Sequence, residues 1–177
     1  MTHDQKAGLV SLLTFVMLVI WGVALVNVLI IALMAAYADL AYGGDLPNGK
    51  LTPGVANPRL TKAVICSSDF RTSKYRHVSA KSKRQVYSMY GMQATKPPCP
   101  CEVDHLIALE IGGSNDKRNL WPQSYQTKPW NAHVKDRLEN RMHKEVCNGD
   151  ISLTEAQQEM AADWINLYKQ EFQTRKR

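Results

Sequence analysis

The sequence predicts an α+β fold: a small two-stranded ribbon against a helix, flanked by further helices and preceded by one apolar membrane-directed helix. Three observations predict it. Residues 7–38 carry no charge at all. Two short β-prone runs, EVDHLIAL (102–109) and RNLWPQ (118–123), flank the turn-rich stretch Gly112-Gly113-Ser114-Asn115-Asp116. Residues 131–147 and 153–172 then place apolar side chains at helical spacing.

The chain divides into a short N-terminal flank (1–6), the apolar run (7–38), a linker (39–58), a folded domain (59–172) and a basic tail (173–177). The apolar run exceeds the ~20 residues a membrane span needs and the roughly 7–15 residues of a signal-peptide core. A retained single-span anchor is the favoured reading. Ala36-Tyr37-Ala38 has the small-x-small pattern of a cleavage site, and a start at Met17 would leave an ordinary signal peptide. All three readings address the chain to a membrane. Lys6 before the run and Asp39 and Asp45 after it favour a domain outside the cytoplasm.

The linker, DLAYGGDLPNGKLTPGVANP, is rich in Gly and Pro and shows no apolar period. Beyond it, TKAVICS (61–67) suits a short strand. AKSKRQVYSMY (80–90) suits a helix ending at Gly91, a residue that tolerates a left-handed cap. QATKPPCPC (93–101) reads as a rigid loop. EVDHLIAL is the first ribbon strand, and RNLWPQ the second, ended by Pro122. Val134, Leu138, Met142 and Val146 recur every fourth residue on the next helix, which Asn148-Gly149 stops. Ser152 followed by Glu155 is a capping box for the last helix. Leu153, Ala156, Met160, Ala161, Trp164, Ile165, Tyr168 and Phe172 form its apolar stripe.

The net charge is +6, and residues 40–177 hold 21 Lys and Arg against 14 Asp and Glu. The excess concentrates between Arg59 and Arg84. There Arg71, Lys74, Arg76, Lys81, Lys83 and Arg84 form a candidate footprint for a nucleic-acid backbone, read by charge rather than by sequence. The alternative is a solvated basic surface. The four cysteines, Cys66, Cys99, Cys101 and Cys147, all follow the apolar run, as suits an oxidising compartment. One intervening residue strains a Cys99–Cys101 bond; Cys66 with Cys147, closing a large loop, is the preferred disulfide. A cysteine zinc site is the competing reading, against which stands the absence of the usual paired-ligand spacing.

Strand, loop, strand, helix with Asp104-His105 on the first strand is a small metal-binding arrangement. The ordered set Asp104-His105, Gly112-Gly113-Ser114-Asn115-Asp116, Asn119-Leu120-Trp121-Pro122 and Lys135-Asp136-Arg137-Leu138-Glu139 resembles the HNH nucleases, and especially an exported bacterial group of them. The likeness runs from about Thr61 to Tyr168. It implies a ββα-metal core and a divalent-metal-dependent endonuclease that hydrolyses phosphodiester bonds in nucleic acid, DNA foremost, with low sequence specificity. It further implies Asp104 on the metal, His105 as general base, and Asn119 bonding backbone across the loop to hold that base. Adjacent strand residues point to opposite faces, so Asp104 and His105 share a site only if the strand bends or ends there. Gly112 and Gly113 have a conformational role.

At the third motif position the sequence departs from the family pattern. Ala132, three residues before Lys135, cannot bind a metal. Glu139 with His143, four apart on one helix face, is the favoured substitute; Asn131 or His133 in the first turn is the other. One or two carboxylates with an imidazole suit magnesium, manganese, nickel or zinc. A second function remains beside the enzyme: the same fold holding nucleic acid at a membrane without cutting it.

Overall fold

The computed structural model describes residues 16–33, 45–93 and 100–174. Outside those lie the rest of the apolar run, Ala36-Tyr37-Ala38, the first part of the linker, Cys99 with most of the Pro-rich loop, and the last three basic residues.

The chain forms two compact units. The first is a helix, α1 (Val16–Leu33), long and apolar enough to cross a membrane, with every described residue exposed. At 1.5 Å per residue it spans about 27 Å, close to a bilayer's hydrocarbon thickness. A signal sequence has the same features, so α1 has the length and composition of either a membrane anchor or an export signal.

The second unit is mixed α and β. Helices α2 (Lys62–Ile65) and α3 (Ala80–Met89) precede strand β1 (Cys101–His105). Strand β2 (Leu120–Ser124) follows after two 3-10 turns, then helix α4 (Ala132–Asn148) and helical run α5 (Leu153–Lys169). β1 and β2 pair antiparallel, with Asp104 opposite Trp121 and His105 opposite Leu120. Opposed residues share a face. Glu102, Asp104, Trp121 and Gln123 therefore lie on one side of the ribbon, and Val103, His105, Leu120 and Pro122 on the other.

The core packs against this ribbon. Val86 and Tyr87 of α3, Leu138, Met142 and Val146 of α4, and Met160 and Trp164 of α5 are buried together with Leu120 and Trp121. The helix boundaries are local. Ser79, Asn131 and Ser152 each accept a backbone N–H three residues on, and Gly149 takes a left-handed φ of 88°. The α5 stripe expected from periodicity supplies Ala156, Met160, Trp164, Ile165 and Tyr168 to the core.

Four segments depart from the sequence reading. The first strand, read over residues 102–109, ends at His105, and Leu109–Ile111 form a 3-10 turn. Residues 61–67 form a helical turn rather than a strand. A strand needs a ladder partner, and here Ile65 N–H is taken by Thr61 O at 3.0 Å and Cys66 N–H by Lys62 O at 3.0 Å. β2 runs through Pro122 to Ser124 rather than ending there. Leu106 N–H to Asn119 O and Tyr125 N–H to Pro100 O bracket the ribbon. They make Val103 and Pro122 a non-hydrogen-bonded pair, so the proline's missing N–H breaks no ladder bond.

Residues 45–58, read as linker, are a strap bonded into the domain. Thr52 is fully buried, its hydroxyl 2.7 Å from Tyr90 Oη and donating to Leu120 O at 3.0 Å. Gly54 N–H reaches Arg118 O and Asn57 N–H reaches Gly112 O. Backbone bonding of this kind leaves no apolar period for a sequence to display.

Cys66 and Cys147 are disulfide-bonded, as expected, with Cα atoms 5.4 Å apart and 81 residues of separation. Closing a loop of that length stabilises the domain by about 2–4 kcal/mol. Cys101 is disulfide-bonded as well.

Candidate functional site

The loop between the strands sets the site. Gly112 has a left-handed φ of 79°, and a Cβ on Gly113 would stand 1.7 Å from Ile107 O, so the loop doubles back where only glycine fits. Asn119 locks it. Its Nδ2 donates to Ile107 O at 3.0 Å and Ser114 O at 2.9 Å, while its Oδ1 accepts from Ile107 N–H at 2.9 Å and Val55 N–H at 3.2 Å. The fully buried amide thus ties both halves of the loop and the strap together, and it is spent on backbone.

His105, the last residue of β1, is 2 % exposed. Its Nε2 lies 2.9 Å from Asn115 Oδ1, and Asn115 Nδ2 donates to Tyr75 O at 2.7 Å. That second bond points the Asn115 oxygen at the ring, so Nε2 carries the imidazole proton and donates it. Nδ1 is left as the lone-pair nitrogen, buried and with no hydrogen-bond partner among the described residues. Burial pushes the imidazole below the ordinary histidine range; the Asn115 bond and the Asp104 charge oppose this. The ring is therefore neutral and basic at Nδ1 at neutral pH. Asn115 belongs to the Gly-Gly-Ser-Asn-Asp motif, and that motif is the sequence signal that marks it.

His105 lines a cleft of about 420 Å³ with Arg76, Lys83, Tyr87, Glu102 and Tyr125. Two of the six basic residues read as a backbone footprint thus flank the histidine. Arg71 instead donates to Ser68 O and Phe70 O, and Lys74 to Asp69 O. Lys81 and Arg84 are exposed on α3. Burial raises the Glu102 carboxyl, and the Asp104 charge adds to that.

Asp104 goes to the other side. β1 ends at His105, yet the two side chains take different partners. Asp104 Oδ2 accepts from Lys135 Nζ at 2.8 Å, and the same ammonium donates to His105 O at 2.6 Å and to Glu139. Lys135 is fully buried. Burial alone would depress its ammonium, but Asp104 and Glu139 hold it raised and charged. Two carboxylates then share one cation, and burial holds the Glu139 carboxyl above its ordinary range.

The metal ligands expected from sequence, Asp104, Glu139 and His143, do not assemble. Asp104 and Glu139 meet, but across Lys135. His143 lies one turn further along α4, donating from Nε2 to Ile65 O at 3.0 Å and standing 3.5 Å from Cys147 Sγ. The first-turn alternatives do not replace it. Asn131 caps α4 through Val134 N–H, and exposed His133 sits beside the Tyr125 ring. Among the described residues, the group of three potential ligands whose donor atoms lie within 4.8 Å of one another is Cys66, His143 and Cys147, two of which are in the disulfide. As placed, Asp104, Glu139 and His143 do not converge on one ion.

Comparison with family models, with curated proteins and with solved structures finds no match for this chain.

Proposed function

We propose that this chain is an HNH-type nuclease: a phosphodiester hydrolase acting on nucleic acid, DNA foremost, without sequence-specific reading, whose domain works outside the cytoplasm at or beyond a membrane. The observation that carries the reading is His105, its Nδ1 buried and without a hydrogen-bond partner among the described residues, lining a cleft together with Arg76 and Lys83. A base, a polyanion-binding wall and room for a phosphate belong together in such a reaction.

In this reading Nδ1 takes the proton of an attacking water, and Asn115 keeps the ring in the tautomer that can accept it. The imidazolium that forms is stabilised by the nearby Asp104 charge. Arg76 and Lys83 take the phosphate oxygens, whose charge grows as water attacks. Lys135, bonded to His105 O, fixes the backbone that aims the ring. The divalent ion that accompanies this chemistry in the family, magnesium, manganese, nickel or zinc, is proposed as a cofactor without assigned ligands.

A second reading, a nucleic-acid-binding module that does not cut, is favoured by the ammonium seated between Asp104 and Glu139. The two separate in one assay. The full chain, in detergent, is mixed with supercoiled plasmid in EDTA or in each of the four ions, beside His105→Ala. The nuclease reading expects nicking that falls about 10²–10⁴-fold in the variant. Binding without nicking in every ion would establish the binding module instead.

A further inference from the structure

Away from the cleft, α2 and α4 meet at Cys66, His143 and Cys147, all half-buried and all with potential ligand atoms within 4.8 Å of one another. We propose that, when its disulfide is reduced, this seam is a Cys2His site for a thiophilic divalent cation of the zinc type. The cation would hold α2 to α4 where the covalent bond no longer does.

The geometry needs little change. Zinc binds thiolate at about 2.3 Å and imidazole nitrogen at about 2.0–2.1 Å, in tetrahedral array, which sets donor atoms roughly 3.5 Å apart. His143 Nε2 and Cys147 Sγ already stand 3.5 Å apart. The Cα atoms of Cys66 and Cys147 are 5.4 Å apart, so the two sulfurs separate to ligand spacing by side-chain rotation. Cys147 and His143 lie four apart on α4 and share a face. Cys66 faces them from the C-cap of α2, and the Phe70 ring stacks on the imidazole at 6.2 Å.

The chemistry balances. A dithiol gives two hydrogens to the two sulfurs and is itself oxidised to a disulfide. The two thiols lose their protons to solvent as the thiolates bind the cation. His143 now donates Nε2–H to Ile65 O; its tautomer shifts, Nδ1 takes the proton, and Nε2 presents its lone pair. Water fills the fourth position.

The test uses the full chain in detergent, reduced with a phosphine, whose oxide takes its oxygen from water, and titrated with cobalt(II) and then zinc. The expected result is tetrahedral cobalt bands with thiolate charge transfer, displaced by zinc, absent from the unreduced protein and lost in Cys66→Ser. His143→Ala should weaken them, and Cys101→Ser should leave them intact. Bands that survive Cys66→Ser, ignore His143→Ala or vanish in Cys101→Ser would overturn the proposal. Should Cys66→Ser fail to fold, the unmutated reduced protein still decides: zinc must protect both Cys66 and Cys147 from iodoacetamide, read by mass spectrometry, and their equal labelling with and without zinc would also overturn it.

Discussion

The two halves of helix α4 use the same spacing for opposite ends. Asn131, Lys135, Glu139, His143 and Cys147 follow one another at intervals of four and so share one stripe. In the N-terminal half the stripe faces β1, and Lys135 and Glu139 form a buried ionic clamp with Asp104. In the C-terminal half it faces α2, and Cys147 is joined covalently while His143 lies alongside. One half is held by charge in a dry environment, the other by a bond indifferent to dielectric. What differs is the element lying opposite, not the helix.

That contrast is broken most severely at the clamp. Lys135→Met leaves Asp104 and Glu139 buried without their cation, and should cost about 3–5 kcal/mol in urea unfolding. A loss below about 1 kcal/mol would mean that water already reaches the carboxylates. Opening the other half with Cys66→Ser should cost about 2–4 kcal/mol through the freed 81-residue loop, whatever the salt concentration. A strong salt dependence would move that half into the electrostatic class.

On the face opposite the clamp, pH is the lever. Burial lowers His105 relative to its unfolded value. A depressed histidine contributes stability that is present above about pH 6.5 and is lost as pH falls toward the folded value. His105→Ala should therefore flatten stability between pH 6.5 and more acid conditions, as followed by thermal melts. Nicking, where measured, should persist below the ordinary histidine range. Asn115→Ala should lower the nicking rate about tenfold or more while leaving plasmid affinity unchanged, because it frees the ring's tautomer but not the cleft's charge. Equal loss of affinity would make Asn115 a binding residue.

The smallest effect separates the basic residues from one another. Arg76→Ala and Lys83→Ala should each weaken plasmid binding and reduce the slope of log affinity against log salt by about 1. Arg71→Ala, whose guanidinium is spent on Ser68 O and Phe70 O, should leave that slope alone.

Much of this was legible in the sequence because it is local. The helix caps at Ser152 and at Asn148-Gly149, the two ribbon strands and the α5 stripe follow from side-chain chemistry within a few residues. The structural part played by Asn119 was implied by the family resemblance and not by local chemistry, for its amide bonds the backbone of Ile107 and of Val55, both distant in sequence. The strap at 45–58 was not legible, since its order comes from backbone bonds to a loop some 60 residues away. Nor was the burial of Lys135: a lysine in a charged ladder reads as solvated until an aspartate appears across from it.

The sequence by itself determined which residues share a face on the two long helices and on the ribbon, for that follows from backbone geometry repeated every two or 3.6 residues. It also determined the apolar helix, through length and lack of charge. Only the tertiary structure decided what each face meets. Glu139 and His143 are neighbours by spacing, but Asp104 lies opposite one and Ile65 and the disulfide opposite the other. A helical repeat fixes direction, and the energy of a charged group depends on what stands in that direction and on how much water is left there.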